Sequence, residues 1–134
     1  MFIELDSRPF ENGTVLFRFG ANAEPLVDNH HLELIALVAG GNEKAFNELF
    51  TLFKDKVYNT ALSYLQNAPE AEEVTQDVFI EVYQSATKFE GKSSVSTWIY
   101  RITVNKCLDR IRFLKRKKRF AFVVSIFNPR SGEL

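Results

Sequence analysis

Residues 69 to 86 read Pro-Glu-Ala-Glu-Glu-Val-Thr-Gln-Asp-Val-Phe-Ile-Glu-Val-Tyr-Gln-Ser-Ala. Ala71, Val74, Val78, Phe79, Val82 and Ala86 recur at steps of three and four, which predicts a helix with one buried side, running to about Lys88. Pro69 suits its first turn, where the missing N–H has no partner to lose. A rotation of roughly 100° per residue puts Glu73, Gln76, Asp77, Ile80 and Gln84 on the opposite side. No Lys or Arg occurs between Ala68 and Ala86, so Ile80 stands in an acidic field with Glu70, Glu72, Glu73, Asp77 and Glu81. Two readings stay open there: a solvated face with one stray isoleucine, or a partner-docking face anchored by Ile80 with carboxylates around it.

Upstream, Asn42 is placed to cap a helix in which Phe46, Leu49, Phe50, Phe53, Val57, Ala61 and Tyr64 form a core-facing stripe. Gln66 to Pro69 breaks it. A shorter amphipathic helix precedes it from His30 to Ala39, with Leu32, Ile35, Ala36 and Ala39 as its apolar side and Gly40-Gly41 as its end. Downstream, the polar loop Phe89-Glu90-Gly91-Lys92-Ser93-Ser94 leads into a fourth helix that Ser94 or Ser96 caps, running from about Val95 to the basic run near Lys118. Its apolar residues fall on two sides: Tyr100, Val104, Cys107, Leu108, Ile111 and Leu114 on one, Val95, Trp98, Ile99 and Ile102 on the other. Either the first half of that helix is buried on both sides, or aromatic surface around Trp98 meets a ligand. Helices of this kind with short connections imply an all-α fold, a compact three- to four-helix bundle.

The chain has 134 residues and is 46% hydrophobic, enough for one core with appendages and too little for two ordinary domains. No stretch approaches the roughly 20 apolar residues of a membrane span, and no signal sequence opens the chain, so a cytoplasmic protein without membrane insertion is expected. A net charge of zero conceals segregation. From Arg101 to Arg119 lie nine basic residues and one acid, a local charge of +8, and the rest of the chain carries −8. Cations at a helix C-terminus are favourable in themselves. Nine in nineteen residues exceed that need, which points to contact with phosphates.

No catalytic constellation emerges. His30 and His31 are adjacent and diverge on a helix, so they cannot ligate one metal as an i, i+4 pair does. Cys107, the single cysteine, reads as a small packed side chain. The paired carboxylates are surface neighbours without an apolar pocket. No enzyme activity, metal or cofactor is expected. Residues 1–28 are expected as a leader or a small β-hairpin turning at Asn12-Gly13, and residues 120–134 as a linker, an extra strand or an extra helix.

Four blocks in order resemble region 2 of the sigma-70 family, in its extracytoplasmic-function (ECF) group. They are Ala45-Phe46-Asn47-Glu48-Leu49-Phe50 with Val57-Tyr58; Ala71 to Phe79; Phe89 to Ser94; and Val95-Ser96-Thr97-Trp98-Ile99-Tyr100-Arg101-Ile102 with Asn105 beyond. The similarity runs from about residue 32 to 118, which sets residues 29–119 apart as the helical domain.

The resemblance implies a non-enzymatic transcription initiation factor domain. It gives Glu73, Gln76, Asp77, Ile80 and Gln84 a partner, the clamp helices of the polymerase β′ subunit, and it implies a soluble or membrane-bound anti-sigma factor as a possible regulator. The loop and the next helix would hold the non-template strand of the minus-ten promoter element and a base turned out of the duplex, which favours the melted state. Phe89, Gly91, Lys92, Ser93, Ser94 and Trp98 would form the base-binding end. Asn105 would read a base edge, and Arg101, Lys106, Arg110, Arg112, Lys115 and Arg116 would hold the backbone. In the family a linker then leads to a helix-turn-helix region 4, so residues 120–134 would be a linker toward that absent domain. The first 28 residues have no family counterpart, and Val95 stands where a larger aromatic is frequent. The rival reading is a helical protein-interaction module with an incidental basic tail.

Overall fold

A computed structural model describes the backbone of residues 24–127 and the side chains of residues 29–127. Four helices follow one another: α1 (Glu24–Ala39), α2 (Glu43–Leu65), α3 (Ala68–Ser85) and α4 (Val95–Phe127), with a 3-10 turn over Ala86–Lys88. The all-α expectation holds, and no strand occurs among the described residues. The hairpin expected around Asn12-Gly13 lies outside them. Helix α1 begins at Glu24, inside the segment expected as leader or hairpin, because a proline at position 25 is tolerated in a first turn.

The helix ends follow local chemistry. Asn42 Oδ1 accepts the Ala45 N–H at 2.9 Å, and Asn67 Oδ1 accepts the Glu70 N–H at the same distance. Between α2 and α3, Gln66 takes a left-handed conformation with φ 53° and donates its N–H to the Leu62 carbonyl. Ser94 Oγ accepts the Thr97 N–H at 3.0 Å and opens α4.

All six residues expected on the inner side of α3 are buried, Ala86 from within the 3-10 turn. They meet Leu49, Phe53, Val57 and Ala61 of α2, where Ala61 and Ala71 are fully buried. Each fully buried Leu, Ile or Val contributes about 1.5–3 kcal/mol. Phe46, Phe50 and Tyr64, expected in that stripe, lie at its edge: Phe46 is half-buried, and Phe50 and Tyr64 are each 38% exposed.

Two helices present faces that match the expectation only in part. In α1 the buried residues are His31, Leu34, Ile35 and Val38, while Leu32 and Ala36 are exposed. Both stripes have helical spacing, and docking on α2 selects between them. In α4 the seam is Val95, Ile99, Thr103 and Cys107, flanked by half-buried Trp98 and Ile102. Tyr100 and Leu108 face outward, 51% and 38% exposed. Thr103 enters the core because its hydroxyl donates to the Ile99 carbonyl at 2.8 Å, leaving its methyl to pack. Helix α4 continues past Lys118 to Phe127, since no Gly or Pro interrupts residues 95–127.

Candidate docking groove and nucleic-acid face

Three of the five expected docking residues of α3, Gln76, Ile80 and Gln84, border a groove between α2 and α3. Its lining residues are Phe46, Phe50, Gln76, Phe79, Ile80, Tyr83 and Gln84, around a volume of about 470 Å³. The floor is an interlocked set of rings, with Phe50 edge-on to Phe79 at 4.9 Å and Phe46 edge-on to Tyr83 at 5.3 Å. Ile80 is 54% exposed, and Gln76, Ile80 and Gln84 form one i, i+4 row along the rim. Asp77 is exposed beside that row. Glu73 is engaged elsewhere, accepting a hydrogen bond from Arg110 Nη2 at 2.8 Å. The sequence reading missed Phe46, Phe50 and Tyr83 as groove residues. The available signal was the i, i+4 aromatic pair Phe46/Phe50, which is wider than one core stripe needs.

At the other candidate face, Gly91 has φ 76° with nothing within 4 Å of where a Cβ would stand. The loop therefore requires glycine for its backbone angle and not for space. Phe89 packs edge-on against Trp98 at 5.1 Å, and both rings lie half-buried against the core. Those rings fasten the loop to α4. Lys92 pairs with Glu90 at 3.1 Å at the exposed tip. Ser93 donates to the Ser94 carbonyl at 3.2 Å, and Ser94, as the helix cap, also contacts the Thr97 hydroxyl.

The rotation of α4 sorts its polar residues by side. At roughly 100° per residue, Arg101, Asn105, Arg112, Lys115, Arg116 and Arg119 fall within about 60° of one line, opposite the buried seam. All six are exposed. Lys106 and Arg110 fall on the seam side and reach α3. Lys106 pairs with Glu81 at 3.3 Å, and Arg110 bonds both Glu70 and Glu73. The hydrogen bond to Glu70 is the largest influence holding the Arg110 guanidinium above its ordinary pKa, with the charges of Glu70, Glu73 and Asp77 acting in the same direction. Arg112 pairs with Asp109 within its own helix at 2.9 Å. Arg101 and the run Lys115 to Arg119 make no ion pair with another described residue.

Cys107 is fully buried, and burial pushes its thiol up to about 11, which keeps it protonated at neutral pH. His30 Nε2 meets Glu48 Oε2 at 2.7 Å, whereas His31 turns inward, edge-on to Phe53 at 4.9 Å.

Comparison with known proteins bears on the helical frame. The family model described as Sigma-70 region 2 matches residues 49–117. The ECF RNA polymerase sigma factor SigW of Bacillus subtilis is 38% identical over 78 residues, which are 58% of this chain and 42% of that protein. The ECF RNA polymerase sigma factor SigM of Mycobacterium tuberculosis is 31% identical over 88 residues, 66% of this chain and 45% of that protein. The chain thus spans less than half the length of these relatives. A solved structure of an engineered region 2 of sigmaE in complex with GTAAAA superimposes with a TM-score of 0.61 at 30% identity, covering 65% of this chain and 90% of that one. With more than half of its residues matched and the helical frame shared, the chain belongs to the sigma-70 region 2 family, in its extracytoplasmic-function group.

Proposed function

We propose that this chain is a promoter-recognition domain that joins RNA polymerase to the melted minus-ten element of a promoter. The observation that carries this reading is the division of one bundle into two unlike surfaces. An aromatic groove with an acid-rich helix lies between α2 and α3, and a cationic row lies along the outer side of α4. Its likeness to a sigmaE region 2 solved with GTAAAA supports a single strand as the ligand of the second surface.

On this reading Gln76, Asp77, Ile80 and Gln84, with Phe46, Phe50 and Tyr83, meet the clamp helices of the β′ subunit. Ile80 enters an apolar site, and carboxylates at the edge oppose basic residues of the partner. The loop from Phe89 to Ser94 forms the mouth of the base pocket, held in place by the Phe89–Trp98 contact. Arg101, Arg112, Lys115 and Arg116 follow the backbone, and Asn105 is the side chain on that row able to read a base edge. Lys106 and Arg110 hold α3 against α4 and position the row. Melting follows from differential binding: roughly a few kcal/mol of unstacking are offset by contacts that only the open strand makes. The domain makes and breaks no bond, and the polymerase supplies the chemistry. An anti-sigma factor covering the α2/α3 groove would switch the protein off by competition.

The test is a fluorescence titration of labelled oligonucleotides with the chain and core polymerase. A minus-ten single strand should bind at least tenfold tighter than its scrambled counterpart and tighter than the same sequence as duplex. Equal affinity for all three would reduce the domain to a helical interaction module with a nonspecific basic surface.

A further inference from the structure

The last two turns of α4 are unlike the rest of the molecule. From Phe120 to Phe127 the helix carries no charge, and every side chain is exposed. Phe120 is 70% exposed, Phe122 65% and Phe127 83%, beside exposed Val123, Val124 and Ile126. At roughly 100° per residue these six side chains, with Ala121, leave no polar face except at Ser125. Directly before them stand five consecutive cations, Lys115 to Arg119, with no ion pair to another described residue. Lys115, Lys118, Arg119 and Phe122 line one shallow hollow of about 350 Å³, three cations around an aromatic ring.

We propose that this helix end attaches the protein to an anionic phospholipid surface. Lys118 and Arg119 meet headgroup phosphates, while the aromatic and branched side chains beyond them enter the outer acyl region. Two observations select this occupant. A nucleic acid would satisfy the cations and leave six large apolar side chains in water. The helix end is apolar almost all round and has cations at its base, so it calls for an apolar medium on every side edged by anionic groups, which an anionic lipid surface supplies together. The eight residues rise about 12 Å, well short of the roughly 30 Å hydrocarbon layer, so the attachment is peripheral. No helix among the described residues is long and apolar enough to cross a membrane.

The test sediments the full chain with vesicles of phosphatidylcholine and phosphatidylglycerol in equal parts, with vesicles of phosphatidylcholine alone, and without vesicles. Two variants accompany it: Lys118→Gln with Arg119→Gln, and Phe120→Ser with Phe122→Ser and Phe127→Ser. None of these side chains touches the core, so circular dichroism should report an intact bundle for both. The chain should sediment with the anionic vesicles only. The double variant should bind about 30-fold more weakly and the triple variant at least tenfold more weakly. Equal binding to neutral vesicles, or binding to neither, would overturn the proposal. So would self-association without vesicles that the triple variant abolishes, which would make a second copy of the chain the occupant.

Discussion

Arg110 reads from the sequence as one more phosphate-binding cation, yet its guanidinium is occupied by two carboxylates of α3. It and Glu70 have side chains only 24% exposed, so the pair is shielded better than a surface bridge, and removing one member leaves the other partly buried without a partner. Arg110→Ala should therefore lower stability by about 1–2 kcal/mol in a urea titration. Its effect on oligonucleotide affinity at temperatures where it remains folded should be smaller than that of Arg101→Ala. The reverse order would return Arg110 to the DNA face. His31 also acts through its burial, which lowers its pKa from 6.5 to about 4, with His30 and Lys56 contributing in the same direction. Between these two values the unfolded chain takes up a proton that the folded protein refuses. Stability falls as pH drops through that window, by at most about 3 kcal/mol, and is unaffected by this group above 6.5. In thermal melts, His31→Leu should flatten the pH dependence between 6.5 and 4; an unchanged slope would place the titrating group elsewhere.

At the scale of elements, α3 was the most legible. Its inner stripe, its first-turn proline and its acidic outer row all appear where the sequence places them, because a helix pressed between two neighbours on one side has a single solution. Ile80→Arg should leave helicity and melting temperature nearly unchanged, since the side chain is 54% exposed, and should weaken polymerase binding at least tenfold in a competition assay. A collapse of helicity would show that Ile80 supports the fold. Helices α1 and α4 were less legible. In α1 two stripes with the same spacing competed, and in α4 a threonine completes the buried seam, a residue that hydropathy does not select. Phe46 packs against the core and Phe50 lies at its edge, and both also wall the groove, because large aromatic side chains at three and four residue steps look alike whether they fill a core or line a cleft beside it.

For the molecule as a whole, the segregated charge is the property on which the proposed function rests. On the proposed reading, replacing Lys115 and Arg116, the two cations of the run that share the outer row with Arg112, by Gln should reduce the slope of log affinity against log salt by about 1.4, with roughly 0.7 lost for each phosphate contact to a single strand. An unchanged slope would take these two off the nucleic-acid path. The order of four helices, the cap at Asn42 and the +8 basic stretch were determined by the sequence alone, because each is a local property of spacing or composition, whereas the choice of Ser94 over Ser96 as the cap of α4 and of backbone angle over close approach at Gly91 came from the structure. Only the tertiary structure decided how the cations divide, with Lys106 and Arg110 turned to α3 and Arg101, Arg112, Lys115, Arg116 and Arg119 turned outward. It also decided that Phe120 to Phe127 extend α4 into solvent instead of folding back. The reason is physical: which side of a helix meets its neighbours depends on the packing of all the helices together, and no segment carries that information by itself.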